Sequence, residues 1–253
     1  MKLYEITFSP TGGTRKAADL LTGALDGEPI AVDLTDSGAD FSAVVLAPED
    51  VAVIAVPSYG GRVPGTAVER LVTMNGGGAR AVLLCVYGNR AYEDTLVELQ
   101  DAAKQAGFRV IAATAAIAEH SIAHRYAAGR PDAEDAKQLQ EFAGKIQKKL
   151  SAGDNGEPEI PGNRPYKKAG GSGMVPKPTK ECTNCGLCAA KCPVQAIDPS
   201  DPKRTDKDRC ISCMRCVSIC PQSARKVSSV MLAAVDVALK KVCSERKAGE
   251  LYI

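Results

Sequence analysis

The sequence predicts an α/β protein: a doubly wound, five-stranded parallel sheet, then a small cysteine-rich α+β module and a C-terminal helix. Apolar, β-branched segments recur at α/β spacing through residues 1–150, amphipathic stretches alternate with them, and residues 182–220 hold eight of the ten cysteines. With 253 residues, 45% hydrophobic and 25% charged, the chain can bury two packed units. Disorder, collagen and coiled coil are excluded by the same figures.

Lys2–Phe8 reads as the first strand, and Thr14–Leu25 as the helix that follows it. Ile30–Leu34 is the second strand; the Gly- and Asp-containing stretch Asp33–Asp50 leaves room only for a small or irregular helix. Val51–Val56, Arg80–Val86 and Val110–Ala116 complete the strands, with helices predicted over Pro64–Met74 and Tyr92–Ala106 between them. Asp132–Leu150 carries Leu139, Phe142, Ile146 and Leu150 on one helical face. These elements make residues 1–150 one domain. Residues 151–178 contain six Gly and five Pro, which resist helix and sheet interiors, so this segment is a linker or a wrapping arm. Residues 179–227 form the cysteine module. In 228–253, Ser228–Cys243 has the period of an amphipathic helix, and Glu250–Ile253 either adds an edge strand or frays.

Formal charge is divided unevenly. Residues 1–150 carry 15 Lys and Arg against 19 Asp and Glu, whereas 151–253 carry 17 against 11. A basic half invites a nucleic-acid reading, but iron-sulfur clusters with four thiolates each bring about −2 apiece and leave too little positive charge for one. Aromatic residues are 4% and Trp is absent, which argues against a single-strand or sugar surface. No apolar run is long enough to span a bilayer, and Met1–Phe8 runs directly into a strand, so a cytoplasmic protein is expected. Ten cysteines in that compartment point to metal or redox ligation rather than disulfides.

The cysteines form two copies of C-x2-C-x2-C-x3-C-P, offset by 28 residues and each continued to an alanine, Ala196 and Ala224. In two-cluster iron-sulfur proteins the fourth cysteine of each run serves the other cluster. Two [4Fe-4S] clusters are therefore expected, one on Cys182, Cys185, Cys188 and Cys220, the other on Cys210, Cys213, Cys216 and Cys192. Pro193 and Pro221 turn each fourth cysteine away from helical geometry. Zinc also uses C-x2-C pairs, but these runs leave no ordinary pairing for it. Between the cysteines, Asn184, Gly186 and Leu187 differ from Ser212, Met214 and Arg215, so the clusters should be inequivalent, with the second easier to reduce.

A second signature lies at the predicted carboxyl ends of the strands. The first βα turn, Ser9-Pro10-Thr11-Gly12-Gly13-Thr14, places hydroxyls and glycines at a helix N-terminus, where backbone N–H groups can surround a phosphate. It has neither the lysine of a triphosphate loop nor the G-x-G-x-x-G pattern. A plain capped helix start would use similar residues. The third and fourth strands, however, also end in Tyr-Gly loops, Ser58-Tyr59-Gly60-Gly61-Arg62 and Tyr87-Gly88-Asn89-Arg90, on the edge where doubly wound sheets bind ligands. A flat ring system fits between Tyr59 and Tyr87. His120 reads equally as structural or functional, and Cys85 as a buried strand thiol.

Residues 1–150 resemble flavodoxins through the Ser9–Thr14 loop. The whole chain resembles the flavodoxin-ferredoxin fusion proteins of anaerobes, which share the loops at 57–64 and 87–90. The resemblance implies a flavodoxin-like sheet of order 2-1-3-4-5 with a ferredoxin-like iron-sulfur domain after it. It also implies FMN, with Ser9, Thr11, Gly12, Gly13 and Thr14 at its phosphate and Ser58, Tyr59, Gly60, Gly61, Tyr87, Gly88 and Asn89 around its ring. Gly60 or Gly61 is placed for the peptide flip that flavodoxins make near flavin N5. The chain departs from short flavodoxins in lacking their stacking Trp and strongly acidic surface.

Flavin joined to iron-sulfur clusters predicts an electron carrier in anaerobic metabolism. Its expected partners are a ferredoxin-type donor and a flavoenzyme or reductase acceptor; a homodimer is left open. The alternative is a reductase whose substrate meets the flavin edge near Arg62, Arg90 and His120. Those arginines would serve a substrate carboxylate, or else pair with Glu93 and Asp94.

Overall fold

In the computed structural model, which describes residues 1–170 and 173–253, six strands form one sheet. The chain runs β1 (Leu3–Thr7), α1 (Gly13–Thr22), β2 (Pro29–Asp33), β3 (Val51–Pro57), α2 (Gly65–Leu71), β4 (Arg80–Tyr87), α3 (Thr95–Gln105), β5 (Arg109–Ile117) and α4 (Ala133–Ser151). The first five strands are parallel. Their order, 2-1-3-4-5, is that of the flavodoxin-like fold. Phe41–Ala43, after β2, is a single 3-10 turn in place of a helix.

Strands β1, β3, β4 and β5 are apolar nearly throughout because helices cover both faces. α1 and α4 pack on one face through Ala17, Leu21, Leu139 and Ile146; α2 and α3 cover the other through Ala67, Leu71, Leu96 and Leu99. The register pairs Thr7 with Ala55 and Val86 with Pro57 and Ala116, so the carboxyl ends of the central strands finish side by side. At that edge the connecting loops converge.

The remainder of the chain comprises β6 (Lys177–Pro178), α5 (Leu187–Ala190), α6 (Arg215–Ser218), β7 (Arg225–Lys226), α7 (Ser229–Cys243) and β8 (Glu250–Tyr252). β8 pairs antiparallel with β5, adding a sixth strand to the five predicted and covering an otherwise open edge. Segment 151–170 lies along α3 as a strap. Asp94 accepts from Asn163 N (2.9 Å), Asn163 Nδ2 (3.0 Å) and Lys167 N (2.7 Å), and Arg164 pairs with Asp101 (2.7 Å). α7 packs through Val235, Leu239 and Cys243 on Ala123 and Tyr126. Asn89 holds the turn after it, donating to Cys243 O (2.8 Å) and Glu245 O (2.7 Å). No helix among the described residues is long and apolar enough to cross a membrane.

The cysteine module repeats its backbone as well as its sequence. Asn184 and Ser212, Gly186 and Met214, and Gln195 and Ser223 all have positive φ at matching places. β6 pairs antiparallel with β7. Ala196 N donates to Cys192 Sγ and Ala224 N to Cys220 Sγ, both at 3.3 Å.

Candidate functional site

The loop between β1 and α1 leaves a row of backbone donors free. Gly12 takes φ +93°, a left-handed conformation that costs glycine little, and α1 begins there without a side-chain cap. Ser9 Oγ accepts from Arg15 N (2.8 Å), and Ser9 N donates to Thr35 Oγ1 (2.8 Å), which fixes the loop from behind. The amide N–H groups of Thr11, Gly12, Gly13 and Thr14 have no hydrogen-bond partner among the described residues. Four free donors at a helix N-terminus are what a phosphate requires.

Above this loop lies a cavity of about 620 Å³, within the range of small-molecule sites. Thr11, Gly13, Thr14, Ser58, Tyr59, Gly60, Tyr87 and Gly88 line it, bringing together eight of the twelve positions expected around a flavin. Ser9, Gly61 and Asn89 are buried outside its lining, and Gly12 is exposed outside it. Gly61, at φ +86°, closes the Tyr59–Arg62 turn, and a Cβ there would lie 1.8 Å from Glu93 Oε2. Asn89, only 2% exposed, spends its amide on the C-terminal tail. Tyr87 is buried against Tyr92, ring centroids 5.3 Å apart, so it belongs to the core as much as to the cavity. Burial pushes its phenol up to about 12. Tyr59 is half-buried in the wall, and its phenol is raised well above the ordinary value by burial and then by nearby Cys213.

Arg62 and Arg90, considered for a substrate carboxylate, are engaged by the protein's own. Arg62 makes two 2.7 Å bonds to Glu98, and Arg90 pairs with Glu93 (2.9 Å). The partner of Arg62 is therefore Glu98, while Asp94 holds the strap. Glu98 also accepts from Val63 N (2.8 Å), which sets the loop after β3. His120 lines the cavity; its Nδ1 accepts from Ile122 N (3.2 Å) and Ala123 N (3.1 Å), placing the ring proton on Nε2. Burial lowers its pKa, so it is neutral at pH 7. Cys85, fully buried with its pKa raised by desolvation, is inert.

The other walls come from distant sequence. Ala169, Gly170 and Met174 of the strap, Val235 and Leu239 of α7, and Cys210, Ile211 and Ser212 of the second cysteine run complete the cavity. No sequence pattern places these residues at this cavity, because only docking of the module brings them here. The docking is visible in two cross-domain bonds: Arg70 Nη2 donates to Pro193 O (2.6 Å), and Arg215 Nη1 to Pro10 O (3.4 Å).

Beside this cavity Cys192, Cys210, Cys213 and Cys216 line a small apolar one, the set the run pattern assigns to one cluster. Cys210 and Ile211 line both cavities and form their common wall. Burial raises the thiol of Cys213 to about 11 and that of Cys216 to about 12, so these sulfurs ionise only against bound positive charge such as iron. The other four cysteines of the module are more open: Cys185 is exposed, and Cys182, Cys188 and Cys220 are half-buried. Among the described residues no three His, Cys, Asp or Glu side chains converge tightly enough to hold a single ion.

Comparison with known proteins identifies the cysteine module. Residues 181–225 match the 4Fe-4S dicluster domain family. Ferredoxin-2 of Chlorobaculum tepidum is 36% identical over 55 residues, which cover 19% of this chain and 89% of that protein. Among solved structures, a flavodoxin from the domain Archaea (13% identity, TM-score 0.43) covers 60% of this chain and 99% of its own. Flavodoxin 1 of Bacillus cereus (17% identity, TM-score 0.42) covers 58% of this chain and 98% of its own. The fold of residues 1–150 rests on its strand order, not on these overlaps.

Proposed function

Because the chain joins a flavodoxin-like domain to a member of the 4Fe-4S dicluster ferredoxin family, an electron-transfer protein, we propose that it relays single electrons from two [4Fe-4S] clusters to FMN. The observation that carries this reading is the wall of Cys210 and Ile211, shared by the cysteine-lined cavity and the larger one. Bound clusters would supply one-electron steps and bound flavin one- or two-electron chemistry.

The chain's own residues position these groups. Cys210, Cys213, Cys216 and Cys192 would hold the cluster next to the flavin; Cys182, Cys185, Cys188 and Cys220 would hold an outer one, with exposed Cys185 marking where a donor docks. The amides of Thr11–Thr14 would take the flavin phosphate, and Tyr59 and the Tyr87-Gly88 turn would border the ring. The strap and α7 line two sides of the cavity. In this reading residues 1–150, 151–178, 179–227 and 228–253 act as flavin domain, strap, iron-sulfur domain and clamp. The partners are redox proteins, a ferredoxin-type donor and a flavoenzyme or reductase acceptor, met in the cytoplasm of an anaerobic cell. Reduction of a small substrate at the flavin edge is less favoured, since Glu98 and Glu93 already occupy Arg62 and Arg90.

Anaerobic purification followed by denaturation tests the assignment. The reading expects about eight irons per chain together with released FMN. Iron without flavin would reduce the protein to a ferredoxin carried on an unrelated binding domain.

A further inference from the structure

We infer that Arg215, carried by the second cysteine run, supplies the counter-charge for the phosphate of FMN held in the Ser9–Thr14 loop. The inference rests on the flavin reading above and adds to it a ligand contributed by the other domain.

The loop has no cation of its own to offer. Arg15 is spent on buried Glu5 at 2.8 Å, and Lys16 is exposed on α1. The free amides of Thr11–Thr14 and the positive end of α1 therefore face a phosphate dianion without a full opposing charge. Arg215 opens α6, reaches across the interface and places Nη1 3.4 Å from Pro10 O, inside the same loop. Its Nε is buried and has no partner, and it makes no ion pair with a carboxylate among the described residues. Buried donors left unpaired are rare because each forfeits its hydration. The guanidinium therefore stands against the Pro10 carbonyl, one residue before the run of free amides, and an anion held by those amides would attract it. Guanidinium and phosphate match in geometry as well as charge. Arg215 itself lines the cysteine cavity and touches the loop at Pro10, which lines the larger one, so a rotamer change about that contact is what brings its guanidinium to the ligand.

Two consequences distinguish this role from simple packing. The protein should prefer FMN to riboflavin, which has the same ring and no phosphate, and the preference should depend on Arg215. Full-length, cluster-loaded protein freed of flavin is titrated with each flavin by fluorescence quenching. R215Q is expected to weaken FMN binding about tenfold to a hundredfold while riboflavin changes by less than about twofold, and R215K to recover most of the loss. Equal weakening of both flavins would assign Arg215 to packing and overturn the inference, as would an unchanged FMN affinity. If the unaltered protein binds neither flavin, the flavin reading itself falls; if it binds FMN and R215Q binds it as well, only the role of Arg215 falls.

Discussion

In both cysteine runs the backbone turns left-handed at matching residues, Asn184 and Gly186 in the first and Ser212 and Met214 in the second, yet Cys185 is exposed while Cys213 is buried beside Tyr59. The first three cysteines of the first run, Cys182, Cys185 and Cys188, are half-buried or exposed. The second run is pressed against the carboxyl edge of the sheet, and Cys210 lines the cavity there. Two near-copies of one ligand loop thus acquire different surroundings from docking alone. In the proposed relay, position relative to the flavodoxin-like domain, more than the motif, would separate an inner cluster from an outer one.

Replacing a cysteine in each run breaks this comparison most severely. Cys213→Ser should abolish reduction of the flavin by the clusters, with chemical photoreduction of the flavin preserved; Cys185→Ser should mainly slow uptake from an external donor. Stopped-flow absorbance on both variants reads the contrast, and identical behaviour would erase the distinction between inner and outer runs.

The next effect concerns the strap. Asp94, 1% exposed, accepts three hydrogen bonds from Asn163 and Lys167, so Asp94→Ala should cost about 2–3 kcal/mol. That corresponds to a fall in Tm of roughly 4–12 °C, seen by calorimetry, with earlier proteolysis between residues 151 and 170. An unchanged melting point would mean the strap is held elsewhere.

Acidification sharpens the same point. Asp94 is held below the usual carboxylate range chiefly by the Lys167 amide, Glu93 by Arg90, and Asp101 by Arg164. With folded values below unfolded ones, their stabilisation is present at neutral pH and disappears as pH falls through the depressed values. His120, lowered by burial, acts in the same direction, because the unfolded chain takes up its proton first. Protease sensitivity of the strap should therefore rise on acidification before the sheet itself unfolds.

A smaller effect is expected at the Arg70 bond to Pro193 O, next to Cys192. Arg70→Met should leave iron content unchanged and slow transfer from the clusters to the flavin several-fold. Unaltered transfer would show that this contact does not help seat the module.

Much of this arrangement was legible in the sequence, for identifiable reasons. Strands β3–β5, buried on both faces, announce themselves as unbroken apolar runs, and the cysteine spacing is dictated by ligand geometry. Helix ends were less so: the predicted Tyr92–Ala106 begins only at Thr95, because Tyr92 packs on Tyr87 and Asp94 turns to the strap. For strand β8 three residues carry too little periodicity to choose between pairing and fraying; in the structure it pairs with β5, and Tyr92 OH bonds to Glu250 (2.7 Å). The shared wall at Cys210 and the reach of Arg215 had no local signal at all, being products of how two domains meet.

The central claim is that electrons cross that wall. Anaerobic titration with a low-potential reductant, followed by absorbance for flavin and EPR for the clusters, tests it most directly when run on the unaltered protein and on Cys213→Ser together. The account predicts that flavin in the unaltered protein reduces in step with cluster electrons and that this link is lost in Cys213→Ser while the outer cluster signal persists. Flavin reduction indifferent to the loss of Cys213 would contradict it.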